Sequence, residues 1–272
     1  MQKQKNLFRL VEGALMIAVA AVLSLVKVLE LPYGGSVTAC SALPILLVAY
    51  RHGTGWGLFT GFTFSLIQLL LGLSNVSYMT TPLSVMAVIM LDYVVAFMVL
   101  GLGGVFRSPA RSQGKALVWG ALLTGLLRYV CHVIAGCTVW AGLSIPTKAA
   151  FLYSLAYNAT YMIPEILVTA LGAWYLSRVL DLREQIPARA PAAQPMNRPA
   201  FVLSLLSKAT LAVTAVWDVV LVFGRLQDGE TGEFVLSGLA NVPWTMVAVV
   251  TVVGVVLWLL LDAVRRRCMR QV

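Results

Sequence analysis

Arg128, His132, Gly136 and Trp140 recur at four-residue steps in LLRYVCHVIAGCTVW, so a guanidinium, an imidazole, a gap and an indole share one apolar segment. On a helix such steps fall on one face. The glycine leaves a notch between the two rings into which a flat ligand fits. The plainer alternative is that His132 hydrogen-bonds a neighbouring helix, Gly136 permits close packing and Trp140 anchors at an interface. A second stripe follows in LYSLAYNATYMIPE, where Tyr153, Tyr157 and Tyr161 lie four apart with Asn158 and Glu165 close by. An aromatic belt accounts for Tyr153. It accounts less well for Asn158, because a buried amide needs partners. Upstream, VIMLDYVVAF carries Asp92, for which the structural alternative is a salt bridge to Arg128 or Lys27. An acid, an imidazole, an amide and several aromatics suit a planar, cationic, hydrogen-bonding ligand. A cation over an aromatic face gains about 2 kcal/mol when desolvated, and the carboxylate balances its charge.

Other chemistries lack their residues. There is no GxxxxGK[ST] phosphate loop, no nucleophile elbow, no HExxH zinc helix and no dense acid cluster. The Gly101-Leu102-Gly103 triplet has no phosphate context. Cys40, Cys131, Cys137 and Cys268 have no metal-type spacing and are read as free, apolar-segment thiols. No cofactor is expected, and a membrane enzyme with Asp92 and His132 as acid and base is the weaker reading.

The elements that must position these residues are membrane helices. The chain of 272 residues is 60% hydrophobic and 11% charged, with mean hydropathy +0.87, whereas a soluble domain carries about 25% charged residues. Its apolar stretches match a hydrocarbon core about 30 Å thick at 1.5 Å per residue. The pattern predicts an all-α polytopic protein with spans near 11–30, 38–51, 56–73, 83–106, 116–142, 150–178, 200–224 and 236–264. Arg51-His52-Gly53-Thr54-Gly55 reads as a tight turn between two shortish helices. The basic first segment carries Glu12 and Lys27 and shows no clear cleavage site, so it is read as a retained helix rather than a secretory signal.

Fifteen lysines and arginines fall in loops of one side and only Lys148 and Arg225 in loops of the other. By the positive-inside rule both termini are cytoplasmic and the number of spans is even. The net charge of +9 is thus an orientation signal and not a nucleic-acid footprint. The stretch DLREQIPARAPAAQPMNRPA divides the chain into a six-helix module over 1–180, a Pro/Ala/Arg linker over 181–199 and a two-helix extension over 200–272. Asp218 lies within the extension, with Lys208 as a candidate partner. On the first helix, Ala14 and Ala18 form a small-xxx-small pair with Ala20 and Ala21 beside it, a face that lets another helix come close.

Five blocks, EGALMIAVAAVLSLVK, LPYGGSVTACSALPILLVAYRHG, LDYVVAF, LLRYVCHVIAG and LYSLAYNATYMIPE, resemble in order and spacing the thiamine-specific S components of energy-coupling factor (ECF) vitamin transporters. The resemblance covers about residues 10–178. It implies a six-helix bundle that captures thiamine from outside the bacterial cell membrane. It also implies a separate transmembrane coupling protein and two cytoplasmic ATPases as partners. Carried over by motif, the substrate-binding set is Asp92, Tyr93, His132, Gly136, Trp140, Tyr153 and Asn158. The contact with the coupling protein falls on Ala14 and Ala18. Two departures stand out. The stretch TTPLSVMAVIM before Asp92 is longer and more apolar than the family pattern, which leaves a thiamine precursor or another vitamin as an alternative ligand. The two-helix extension lies outside the usual six-helix plan and leaves a regulatory or assembly role as a further alternative.

Overall fold

A computed structural model describes residues 2–31, 35–108, 112–140, 147–190, 198–226 and 236–270. The described residues are mostly helical. The long helices are α1 (Gln2–Leu25), α2 (Leu43–His52), α3 (Thr54–Leu71), α4 (Pro82–Phe106), α5 (Gln113–Val139), α6 (Lys148–Val179), α7 (Arg198–Leu226) and α8 (Trp244–Arg270), with one short helical turn over Leu73–Val76. Two short antiparallel ribbons interrupt them: β1 (Lys27–Glu30) with β2 (Ser36–Thr38), and β3 (Leu180–Asp181) with β4 (Ala188–Arg189). Parts of α1, α3, α4, α5, α7 and α8 are each long and apolar enough to cross a bilayer. This is a membrane protein of several spans.

Backbone satisfaction explains where the helices begin and end. Thr81 opens α4 with a reciprocal cap in which its hydroxyl accepts from Ser84 N, and Pro82 supplies a first-turn φ at no hydrogen-bond cost. The turn read at Arg51–Gly55 is present: α2 stops at Gly53, whose φ of 93° is open to glycine and strained for other residues. The segment read as a span over 38–51 is instead strand followed by a ten-residue helix. At 1.5 Å per residue that helix reaches only about 15 Å, half a hydrocarbon core. The first span likewise ends at Leu25, and Lys27–Glu30 leaves the helix as a strand. The eighth opens with a 3-10 turn over Leu236–Asn241 before α8 begins.

The chain divides into two compact units, one of residues 1–178 with 182–187 and one of 179–181 with 188–272. In the first, Ala20, Ala42, Ile45, Phe64 and Leu100 form a buried cluster, with Phe64 and Phe97 edge to face at 5.5 Å between centroids. A Cβ on Gly57 would lie 2.9 Å from the Gly101 Cα, so the backbones of α3 and α4 touch, as small residues allow in lipid. One end of this unit is knotted by Arg51. Its Nε and one Nη2 proton go to the two Glu12 carboxylate oxygens. Its Nη1 donates to the carbonyls of Leu182 at 2.7 Å and Glu184 at 3.0 Å, and Nη2 to that of Gln185 at 2.9 Å. All five guanidinium N–H groups are therefore used. His52 adds a 2.8 Å contact to Glu12 Oε2. Part of the stretch read as a linker, 182–187, is thus fastened to the first unit, whereas 191–197 lies outside the described residues.

In the second unit α7 and α8 run antiparallel, since Thr214 meets Gly254 while Asp218 meets Thr251. The expected partner of Asp218 is replaced. Thr251 Oγ1 donates to Asp218 Oδ2 at 2.7 Å, and Lys208 turns to Ser204 Oγ at 3.1 Å. A hydroxyl on the facing helix is nearer at hand than an amine ten residues away along the same one.

Candidate functional site

The first unit holds a cavity of about 670 Å³ between the β1–β2 ribbon, the C-terminal end of α3, and α4, α5 and α6. All seven residues of the expected binding set line it, and so do Lys27, Arg128, Tyr157, Tyr161 and Glu165. Most come from three helices, and local irregularity in two of them aims the side chains. Asp92 and Tyr93 lie in a π-helical turn of α4, Ile89–Val95, and Gly136 in a second one of α5, Ala135–Val139. Four-residue steps on an ideal α-helix drift about 40° each, because 3.6 residues complete a turn. A π turn takes more residues per turn and removes that drift, so Trp140 stays above His132 over the cavity.

Asp92 is the centre of the polar arrangement. Its Oδ1 lies 2.9 Å from His132 Nδ1 and its Oδ2 accepts from Trp140 Nε1 at 3.1 Å. One helix of the stripe thus clamps the acid of another. The alternatives of a salt bridge to Arg128 or Lys27 do not describe it: Lys27 pairs with Glu30 at 2.5 Å in the ribbon, and Arg128 stacks over Phe97 at 4.5 Å. A carboxylate offers about four lone pairs, so the clamp leaves Asp92 acceptor capacity toward the cavity.

Asn158 is saturated from both ends. Its Nδ2 donates to Ser154 O at 2.8 Å, Ser154 Oγ at 3.1 Å and His132 O at 3.3 Å, while Tyr161 OH donates to Oδ1 at 2.6 Å. Gly136 is explained in the same place. A Cβ there would run into Ser154 Oγ, so the glycine brings α5 onto α6, and Ser154 fills much of the notch expected for a ligand. Tyr93 lines the cavity but donates its hydroxyl to Gly72 O at 2.9 Å, fastening the end of α3. Tyr153 and Tyr157 stack at 6.1 Å with 2° between their planes, Tyr157 meets Tyr161 edge-on at 5.9 Å, and Tyr161 faces His132 at 6.0 Å. An unbroken aromatic wall runs along α6. Tyr78 adds a ring 6.3 Å from Trp140.

Three of the lining groups outside the expected set, Glu165, Thr38 and Gln68, tie elements of the wall together. Glu165 Oε2 accepts Thr38 N at 2.7 Å and Oε1 accepts Thr38 Oγ1 at 2.8 Å, tying β2 to α6. Gln68 donates to Ser24 at 2.9 Å across the mouths of α1 and α3. Thr38 and Gln68 stand in runs with no charge or motif to draw notice, whereas Glu165 is visible as an intramembrane acid with no partner within reach in sequence. Ala14 and Ala18 are exposed on α1, on the side away from buried Glu12, Gly13 and Ala20, and take no part in the cavity. No group of three or more metal-ligating side chains occurs among the described residues.

Residues 10–182 match the family model described as "Thiamine transporter protein". The chain is similar to the thiamine transporter ThiT of Bacillus subtilis (strain 168), 36% identical over 182 residues, covering 63% of this chain and 91% of that protein. It is also similar to the ThiT of Lacticaseibacillus paracasei, 27% identical over 173 residues, 58% of this chain and 81% of the other. Among solved structures, ThiT from Listeria monocytogenes superposes with a TM-score of 0.51 at 26% identity, covering 64% of this chain and 94% of that one.

Proposed function

The chain belongs to the thiamine transporter protein family, and from that premise we propose that its first unit captures thiamine in the 670 Å³ cavity as the binding subunit of an ECF-type importer. The observation that carries the reading is the Asp92 carboxylate held between His132 and Trp140. Thiamine joins an aminopyrimidine, rich in hydrogen-bonding groups, to a cationic thiazolium ring. A fixed carboxylate accepts from the aminopyrimidine or balances the cation, and because its donors are already in place, little reorganisation opposes binding. The ring of Trp140 and the stacked pair Tyr153–Tyr157 offer faces for stacking and for the thiazolium charge. Nanomolar affinity requires about 12 kcal/mol, which stacking, one charge pair and several hydrogen bonds in a concave, largely apolar site can supply.

In this reading Asp92, His132, Trp140 and Tyr153 meet the ligand. Tyr93, Gly136 and Asn158 shape the wall, since each is already engaged within the protein. The protein is not an enzyme; it carries no phosphate loop, and energy comes from two partner ATPases through a transmembrane coupling protein. The exposed Ala14–Ala18 face of α1 is the contact for that coupling protein, both termini lie in the cytoplasm and the membrane is the bacterial plasma membrane. Residues 200–272 are accessory to capture. Tryptophan-fluorescence titration of the solubilised full chain tests the assignment. Saturable quenching at sub-micromolar thiamine is expected, and no response at micromolar ligand overturns it. A stronger response to the isolated pyrimidine than to thiamine would move the assignment to a precursor.

A further inference from the structure

Behind the floor of the thiamine cavity lies a second, small space of about 10 Å³, the room needed by one water molecule. Arg128 and Glu165 line both spaces and so form the wall between them. Among the described residues only three buried side-chain polar atoms have no hydrogen-bond partner: Arg128 Nε, Thr169 Oγ1 and Asp218 Oδ1. The first two both belong to residues lining this one small space. Arg128 is 8% and Thr169 3% exposed, and the two unpartnered atoms themselves are buried.

The behaviour of the other threonines sharpens the point. Thr60, Thr63, Thr124, Thr210 and Thr214 each return their hydroxyl to the carbonyl four residues earlier, the ordinary way for a helical threonine to satisfy itself in an apolar setting. Thr124 also lines the small space and is satisfied in that way. Thr169 is not, and its hydroxyl is left for something in the space. An orphaned buried N–H or O–H costs about as much as a lost hydrogen bond, and buried polar groups are paired as a rule.

We propose that this space binds one water molecule, held by Arg128 Nε, Thr169 Oγ1 and the Glu165 carboxylate, and that Thr169 is through it a positioning residue for Arg128. The donor and acceptor inventory closes. Arg128 Nε can only donate, so the water accepts from it. Each Glu165 oxygen receives one donor, Thr38 N on Oε2 and Thr38 Oγ1 on Oε1, and lone pairs remain on them, so the water donates to the carboxyl. The hydroxyl of Thr169, donor and acceptor at once, takes the third bond. Three bonds is the usual count for a buried water. Its effect is to fix the guanidinium from behind, while Phe97 fixes it by stacking. The wall facing the ligand then keeps one shape and one charge distribution.

The affinity part of this rests on the reading of the main cavity as the thiamine site; the water itself does not. A crystal structure of the full chain at about 2 Å or better is expected to show a density peak within hydrogen-bond distance of Arg128 Nε and Thr169 Oγ1, and a dry space overturns the proposal without any variant. For the positioning role, Thr169→Val removes the hydroxyl at nearly constant volume and Thr169→Ser keeps it. Fluorescence titration is expected to give thiamine binding weakened about threefold to tenfold in Thr169→Val and held within about twofold of wild type in Thr169→Ser. Wild-type binding in the valine variant, or equal weakening in both, overturns the positioning claim. If wild type itself fails to bind thiamine, the ligand assignment falls while the density still decides the water site.

Discussion

Replacing Asp92 with asparagine keeps the shape of the side chain and removes its charge, and the clamp around it converts that change into a defined loss. The carboxylate now accepts from His132 Nδ1 at 2.9 Å and from Trp140 Nε1 at 3.1 Å, one donor on each oxygen. An amide has a single acceptor oxygen, so in either orientation its NH2 faces one of these two donors and one hydrogen bond is lost, about 1 kcal/mol. The ligand loses in addition a charge-assisted bond, roughly 1.5–3 kcal/mol. The first loss falls on the ligand-free and the ligand-bound protein alike and lowers stability; the second, roughly 1.5–3 kcal/mol, weakens thiamine binding by about one to two orders of magnitude at about 1.4 kcal/mol per tenfold. Isothermal titration of wild type and Asp92→Asn in the same detergent measures this directly, with a thermal melt of the ligand-free proteins to separate folding from binding. A loss of less than about fivefold in a variant that still folds refutes the assignment of Asp92 as the charge partner of the ligand.

Three other outcomes follow from the geometry. Gly136→Val sends a branched side chain into Ser154 and toward Asn158 Nδ2; it is expected to force α5 off α6, lower Tm and abolish measurable binding, and a variant with wild-type affinity sinks the packing role of the glycine. Arg51→Ala leaves Glu12, 8% exposed, without its cation and strips the hydrogen bonds from three carbonyls, for a stability loss of about 3–5 kcal/mol, read as a drop in denaturation midpoint; a shift equivalent to under 1 kcal/mol contradicts it. Ala14→Leu, at an exposed site remote from the cavity, is expected to leave thiamine affinity of the purified chain unchanged while thiamine uptake in cells supplied with the coupling module falls at least tenfold; unimpaired uptake rules out this face as the contact.

The chemistry-bearing residues were legible because charge and amide groups are conspicuous in an apolar chain and because helical spacing is regular. Arg128, His132 and Trp140 could be assigned to one face from their steps alone, and Tyr153, Tyr157 and Tyr161 to another. What joins them was not legible. Asp92 meets His132 and Trp140 across 40 and 48 residues, and Glu165 meets Thr38 across 127, distances only the folded bundle closes. The π turns at Asp92 and Gly136 leave no pattern in the residues. The β1–β2 ribbon escaped notice because strands of four and three residues are too short for alternation to show, and the apolar run on either side reads as continuous helix. Thr169 looked like any helical threonine, since whether a hydroxyl turns back on its own helix is decided by what stands opposite.

The grip of Arg51 on 182–187 has a practical meaning for where the six-helix unit stops. Three of its acceptors, the carbonyls of Leu182, Glu184 and Gln185, lie beyond the last turn of α6. A shortened chain ending at 180 would look complete by helix count and yet strand three donors of a buried guanidinium, whereas one ending at 187 would keep them. Because the grip is on main-chain oxygens, which every residue carries, it does not depend on which side chains stand at 182, 184 and 185.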